Sequence, residues 1–220
     1  MVRNTKQAIP FVQQQLLEAI DQIKDGASHD DILPKLEAVM QQLQTLATHD
    51  HLTGALNRQT LVERLDAELQ RSGRTGHTFA VALIGIDHLL ETMEVHGQEV
   101  TKRILQVVTG EAAHVLRALD SFGRVGVTEF AIVMPTTWIE QGEVAIQRLQ
   151  LRLAHFAWND IAQGLQVSFC TGLTQNAPGD QAEMVLQRAA TALQQARQLG
   201  GQALVQILPD LPDLPGMSSL

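Results

Sequence analysis

Two short stretches carry the side chains best placed to do chemistry. "RALD", Arg117 to Asp120, sets a guanidinium and a carboxylate three residues apart. An arginine fork binds an anion such as a phosphate in bidentate fashion, and an aspartate accepts N–H donors. At a helix end the two can converge on one ligand. The same spacing also makes an ordinary exposed ion pair, and the helix dipole alone favours an arginine there. The second stretch, "SFGRVGVTEFAIVMP", Ser121 to Pro135, reads as two short apolar strands folded around "GVTE", with Glu129 at the tip. The eight histidines have no metal-ligand spacing: His49 and His51 flank Asp50, and His88 and His96 lie around a loop. Cys170 is the single cysteine and sits inside the apolar run "LQVSFCTGL", which makes it a small buried residue rather than a nucleophile.

Composition bounds what these residues can serve. The chain has 220 residues, 45% of them hydrophobic, with a formal charge of -8. That balance excludes general nucleic-acid binding, which needs a clustered excess of Lys and Arg, but leaves room for a small phosphate ligand held by a few arginines. The N-terminus lacks a signal-peptide stretch, and the longest apolar run, "FAVALIGI", is far short of a membrane span. A cytoplasmic protein with no membrane insertion is expected.

The elements that must position these side chains are read from periodicity. In residues 6–24, Val12, Leu16, Ile20 and Ile23 recur at helical spacing, and "KDGASHDD" supplies a stop and new cap candidates. Ile32, Leu36, Val39, Leu43 and Leu46 then step by four and three like a short coiled-coil seam. Residues 1–47 thus form a helical hairpin that packs on itself, on the main domain or on a second copy, the last two expected because a short helix pair buries little alone. Beyond residue 47 helices and strands alternate: a helix over "NRQTLVERLDAELQR", a buried strand over "TFAVALIGI" and a long helix over "QEVTKRILQVVTGEAAHVLRAL". The hairpin comes next, then a helix from Trp138, whose ring is expected to pack there, then a strand over "LQVSFCTGL", a helix over "AEMVLQRAATALQQARQL" and a closing strand "QALVQIL". The tail, residues 208–220, is rich in Pro and Gly and expected to be mobile.

These residues carry a resemblance. "HDHLTGALNR", His49 to Arg58, resembles the opening motif of the GGDEF domain, the diguanylate cyclase family, and "GVTEF" stands where that family has Gly-Gly-Asp/Glu-Glu-Phe. "RALDSFGRVGVTEFAIVMP", "VSFCTGLT" and "LQRAATALQQARQLGGQ" are similar to its central segment, late strand and closing helix, so residues 48–207 are covered. The resemblance implies an α/β fold, a central sheet flanked by helices and similar to nucleotidyl cyclase and polymerase palm domains. It also implies a reaction in which two GTP molecules, each held on one subunit with two metal ions, become cyclic di-GMP.

The same resemblance marks departures at the positions this chemistry needs. The metal-binding Asp that ends the family's first strand falls on Gly85, and the metal-binding third position of the hairpin motif falls on Thr128, neither of which offers the carboxylate that Mg²⁺ prefers. Asp87 lies two residues beyond Gly85 on the same strand face, about 6.5 Å along. Glu129 is kept, but strand alternation points it away from Thr128. The guanine-reading Asn and Asp fall on Met93 and Lys102, the phosphate-side Lys on Leu90 and the Arg of the closing Gly-Arg-Asn on Gly201, leaving Arg197 as the one basic residue that matches the family's closing helix. Gly126 keeps the first hairpin glycine, whereas Val127 replaces the second, where a side chain resists positive φ and keeps backbone from a phosphate. No catalytic residue, cofactor or metal site is therefore expected. The family's inhibitory product site begins with Arg-x-x-Asp before the hairpin, matching Arg117 and Asp120, and takes a second arginine from the next helix, matching Arg148. The leading expectation is an inactive domain acting as a bacterial cyclic di-GMP receptor or regulatory module. The alternative is an interaction or dimerisation module without a nucleotide, and the third reading is residual cyclase activity or GTP binding without turnover.

Overall fold

The uninterrupted apolar run after His77 becomes the middle of the sheet in the computed structural model of the chain, which describes residues 5–24 and 28–209. Its strand β1 (Ala80–Ile86) is buried at every position. It pairs antiparallel with β3 (Glu129–Met134) on one side and β4 (Phe169–Gln175) on the other. β2 (Ser121–Arg124) adds antiparallel to β3 and β5 (Leu204–Gln206) parallel to β4, giving the order β2-β3-β1-β4-β5.

Because side chains alternate along a strand, β1 feeds two cores. Ala80, Ala82, Ile84 and Ile86 face Ile104, Val108 and Ala112 of α5 (Gln98–Val115) and Ile146, Leu149 and Leu153 of α6 (Ile139–Ala154). Val81 and Leu83 face Leu61 and Leu65 of α3 (Arg58–Thr75) and Val185, Ala189 and Leu193 of α7 (Ala182–Leu199). Asn57 caps α3 by accepting the Thr60 amide at 2.9 Å, and Gly76, at φ 74, ends it in the left-handed conformation that glycine takes without strain.

α7 lies unusually close to β4. A Cβ on Gly172 would stand 2.1 Å from the Ala189 carbonyl oxygen and 2.3 Å from the Leu193 nitrogen, both backbone atoms that no rotamer change can move. The glycine is the condition for the helix seat, and Arg188 fastens it. Its guanidinium donates to the Gln175 carbonyl at 3.0 Å, to the Thr174 hydroxyl at 2.9 Å and to the Asp180 carboxylate at 2.6 Å.

Several boundaries differ from the sequence expectation. The helix expected through "RAL" ends at Val115, because Leu116 turns extended, with ψ 148, and packs against the core. "LLETMEVH" forms a short helix, α4 (Leu89–His96), where a loop is expected; only Leu89 of it is buried, so its sequence has no helical stripe to read. β4 starts at Phe169 rather than Leu165, and β5 spans three residues. Trp138 is 59% exposed at the head of α6 instead of packed, and Trp158 is the buried tryptophan.

The N-terminal residues form two helices, α1 (Thr5–Lys24) and α2 (His29–Thr48), that pack on one another rather than on the sheet. Ala19, Ile32 and Val39 are buried between them, and the Lys35 ammonium donates to the Gln22 side chain at 2.7 Å. The seam read from the sequence is therefore half consumed inside the hairpin, while Leu17, Ile23, Met40 and Leu43 remain exposed. The tail is outside the described residues from 210 onward. No described helix is long and apolar enough to cross a membrane.

The closeness of α7 to β4 generates a prediction. Gly172→Ala should cost about 3 kcal/mol or more, at the upper end of overpacking, because the added methyl group meets backbone atoms. Urea unfolding monitored by far-UV circular dichroism checks it, and a loss below about 1 kcal/mol would show that the helix seat can shift.

Candidate functional site

The end of β1 is where the resemblance places the metal chemistry, and the structure puts an arginine there. Gly85 pairs with Glu129 across β3 and with Cys170 across β4. A Cβ built on Gly85 would lie 2.4 Å from Nη2 of Arg197. The guanidinium thus occupies the volume into which any side chain at position 85 would grow. Arg197 comes from the last turn of α7, which the Gly172 contact presses onto the sheet. Its Nη1 donates to Glu129 Oε1 at 3.1 Å, and its Nε lies 3.9 Å from Asp87 Oδ1.

Asp87 sits just past β1 with its side chain 11% exposed. One carboxylate oxygen, Oδ2, accepts the Ser168 hydroxyl at 3.0 Å and the Cys170 thiol at 3.2 Å. The other, Oδ1, is fully buried and takes no hydrogen bond. Burial, joined by the Asp87 hydrogen bond and charge, pushes the Cys170 thiol up to about 11, so it stays protonated as a donor to Asp87. Glu129 and Asp87 converge on one arginine. An open recess of about 420 Å³ adjoins them, lined by Asp87, Leu90, Thr128, Arg197 and Gly201.

The hairpin tip is held without glycine conformations. Val125 and Gly126 amides donate to the Glu129 carbonyl at 3.0 and 3.2 Å, and neither Gly126 nor Val127 has positive φ. The valine therefore fits the turn and is 68% exposed, where a strain at positive φ is expected from the sequence. Arg124 braces the loop by donating to the Gly126 and Val127 carbonyls at 3.2 and 2.9 Å, and its other face meets Asp50 at 3.4 Å. Burial pushes the Asp50 carboxyl up, but the Thr53 hydroxyl and amide and the Arg124 charge outweigh it and hold the group below its ordinary value. The opening motif is thereby tied to the hairpin.

These residues do not fit a pair of divalent cations. Gly85 has no donor, Thr128 offers a hydroxyl while its backbone carbonyl already accepts the Ile86 amide, and Arg197 brings a positive charge between the two remaining carboxylates. Among the described residues no group of three or more His, Cys, Asp and Glu stands where it can hold a metal ion. Leu90 is 56% exposed on α4, and Met93 is half-buried on the same helix. Lys102 is turned to Glu99 at 2.6 Å and lines a separate recess with His51, Arg103 and Arg124. The positions that resemble base readers are thus not gathered around the Arg197 recess.

The Arg117 region is built differently from the expected helix-face pair. Residues 117–120 form a turn after α5, closed by the Asp120 amide on the Arg117 carbonyl at 3.0 Å. The Asp120 carboxylate accepts the Arg117 backbone amide at 2.7 Å through Oδ2, not its guanidinium. Burial raises the Asp120 carboxyl, and the Arg117 amide and charge offset this only in part. Asp120 and Arg117 line one recess of about 470 Å³ with His49, Thr109, Ala113 and Phe122. The guanidiniums of Arg117 and Arg148 are exposed and make no hydrogen bond to any described residue.

Arg148 does not line that recess, but the topology brings it toward the same end. β1 and β2 are both antiparallel to β3, so α5 returns between two strands that run one way, and α6 returns between β3 and β4, which run the other. The two helices are antiparallel. Arg152 of α6 pairs with Glu111 of α5 at 2.6 Å, so Arg148, one turn or about 6 Å earlier, lies toward the C-terminal end of α5. Sequence reading missed the role of Arg197, whose partners Asp87 and Glu129 sit far away in the chain.

Comparison with known proteins agrees with this architecture. The family described as "Diguanylate cyclase, GGDEF domain" matches residues 47–203. Diguanylate cyclase DgcP of Pseudomonas aeruginosa is 28% identical over 208 residues, covering 86% of this chain and 31% of that protein. Response regulator PleD of Caulobacter vibrioides is 29% identical over 73% of this chain and 36% of its own length. The chain therefore spans about a third of these relatives. Among solved structures, the diguanylate cyclase SiaD of P. aeruginosa, in complex with its activator SiaC, superposes with TM-score 0.70 at 26% identity, covering 89% of this chain and 73% of that one. The coiled coil and GGDEF domain of DgcB from Caulobacter crescentus, solved with c-di-GMP, shares the fold with TM-score 0.73 at 19% identity over 85% of this chain and 98% of that one. The chain belongs to the GGDEF domain family of diguanylate cyclases.

Proposed function

We propose that this chain is a cytoplasmic regulatory module of cyclic di-GMP signalling: a cyclase-family domain that makes no cyclic di-GMP itself and binds the dinucleotide through Arg117, Asp120 and Arg148. The observation that carries the reading is the recess at the end of α5. There Asp120 Oδ1 and the Arg117 guanidinium stand without hydrogen-bond partners among the described residues, beside an open volume of about 470 Å³. A guanine edge supplies the donors that the carboxylate lacks and the acceptors that the guanidinium lacks. The opposite end of β1 supports the absence of turnover. In-line nucleotidyl transfer depends on cations that activate the attacking hydroxyl and neutralise the leaving pyrophosphate, and the residues at Gly85 and Thr128 supply no carboxylate for them.

A second reading rests on a separate observation. The exposed Leu17, Ile23, Met40 and Leu43 of the helical hairpin leave apolar surface that the sheet domain does not cover. That surface fits a homodimer contact or a protein partner, through which the module would pass on its state.

Four outcomes are expected. Calorimetric titration with cyclic di-GMP should give micromolar binding, about -8 kcal/mol, and Arg117→Ala should cost about 2–5 kcal/mol and abolish the heat. Because the Asp120 carboxyl must be ionised to accept guanine protons and its pKa is raised, affinity should fall with acidification at a pH above that of an unperturbed aspartate. No heat with the wild type would leave the interaction module alone. Incubation with GTP and Mg²⁺ followed by chromatography should yield no cyclic di-GMP; product that disappears in Glu129→Ala would make this an active cyclase. Light scattering should show a mass that rises with concentration and drops to that of a monomer in Leu17→Glu/Leu43→Glu, and a constant monomer mass in the wild type would remove the dimer.

A further inference from the structure

We infer that Arg197 is a tethered cation that takes the place of an exchangeable metal ion at the end of β1, so that this site is electrostatically complete and closed to divalent cations. The inference deepens the reading of that site as lacking its metal carboxylates and is independent of binding at Arg117.

Three observations carry it. The guanidinium fills the space above Gly85, 2.4 Å from where a Cβ would stand, so the missing side chain and the present cation occupy one volume. Two carboxylates converge on it, Glu129 at 3.1 Å from β3 and Asp87 at 3.9 Å from the end of β1. Asp87 Oδ1 is buried without any hydrogen bond. A buried carboxylate oxygen in that state is tolerated only beside a compensating charge, and among the described residues Arg197 is the cation paired with it.

The physical difference from a metal site is one of mobility and stoichiometry. A divalent cation brings two charges, leaves open coordination positions and departs when chelated. A guanidinium brings one charge, is covalently tied to the fold and leaves no coordination position for a ligand oxygen. Its planar fork reaches both carboxylates because α7 is seated on Gly172 and the arginine projects from the turn beyond that contact. A metal entering here would have to displace the arginine, losing its pairing with Glu129 and Asp87, for a donor set of two carboxylates.

Removing the charge while keeping the side chain should convert the site. In Arg197→Met, Asp87 and Glu129 are left uncompensated, and the recess of about 420 Å³ beside them admits a hydrated ion. Mn²⁺ titration followed by electron paramagnetic resonance reads this directly. The wild type and Arg197→Lys should bind no Mn²⁺ that Glu129→Gln removes. Arg197→Met should gain one such ion with a dissociation constant of about 10⁻⁴–10⁻³ M, the range of weak carboxylate sites. Its thermal midpoint should fall by several degrees without metal and recover in part with millimolar Mg²⁺, while the wild-type midpoint ignores Mg²⁺. Arg197→Gln, which keeps a polar head, serves if the Met variant does not fold. A specific Mn²⁺ in the wild type overturns the inference, as does a charge-neutral variant that folds and gains none. Cyclic di-GMP titration of the same variants separates the two readings, since binding at Arg117 should be unchanged by Arg197→Met.

Discussion

The charge cluster at the end of β1 depends on how closely one helix can approach one strand. Gly172 lets the backbone of α7 rest against β4, with no room for even a methyl group between them. A helix this near, and continued one turn further, delivers Arg197 over Gly85. The two glycines act in sequence. The first brings the helix down, and the second leaves the hole that the arginine fills.

The consequence is an asymmetry between two ends of the same sheet. At the β1 end the charges are closed on themselves: Asp87 and Glu129 share Arg197, the Cys170 thiol is bound to Asp87, and Arg124 is committed to Asp50 and the hairpin carbonyls. At the α5 end the polar groups are open, with exposed Arg117 and Arg148 and one Asp120 oxygen left over from the turn. A charge already paired inside a protein gives a ligand little, because binding must first break the existing pair. An unpaired guanidinium carries no such cost. The end whose polar groups stay unpaired is therefore opposite the end where the resemblance places nucleotidyl transfer.

Most of the fold is legible in the sequence because each element repeats a simple period. β1 announces itself as an apolar run, α3, α5, α6 and α7 as stripes at helical spacing, and the hairpin as two short strands about a tip. The failures have specific causes. α4 buries one residue, so no stripe marks it. α5 stops at Val115 because Leu116 finds a place in the core, a preference that local propensity cannot express. That early stop turns "RALD" from a helix-face pair into a capped turn, in which Asp120 serves the backbone of Arg117 and leaves its side chain free. Trp138 has the composition of a core residue and is exposed, because the core near α6 is filled by Ile146, Leu149 and Leu153.

The sequence by itself determined which side chains stand at the positions the resemblance singles out: no carboxylate can arise at Gly85 or Thr128 by folding, and no arrangement gives Met93 an amide or Lys102 a carboxylate. It also determined the family, through motifs whose order and spacing are local properties of the chain. Only the tertiary structure decided what stands in the gap. Asp87, Glu129 and Arg197 are far apart along the chain, and their meeting depends on strand register and on the depth at which α7 packs. Pairing of that kind is set by the summed packing of two cores, not by any neighbouring residue, and so it has no signature in one dimension.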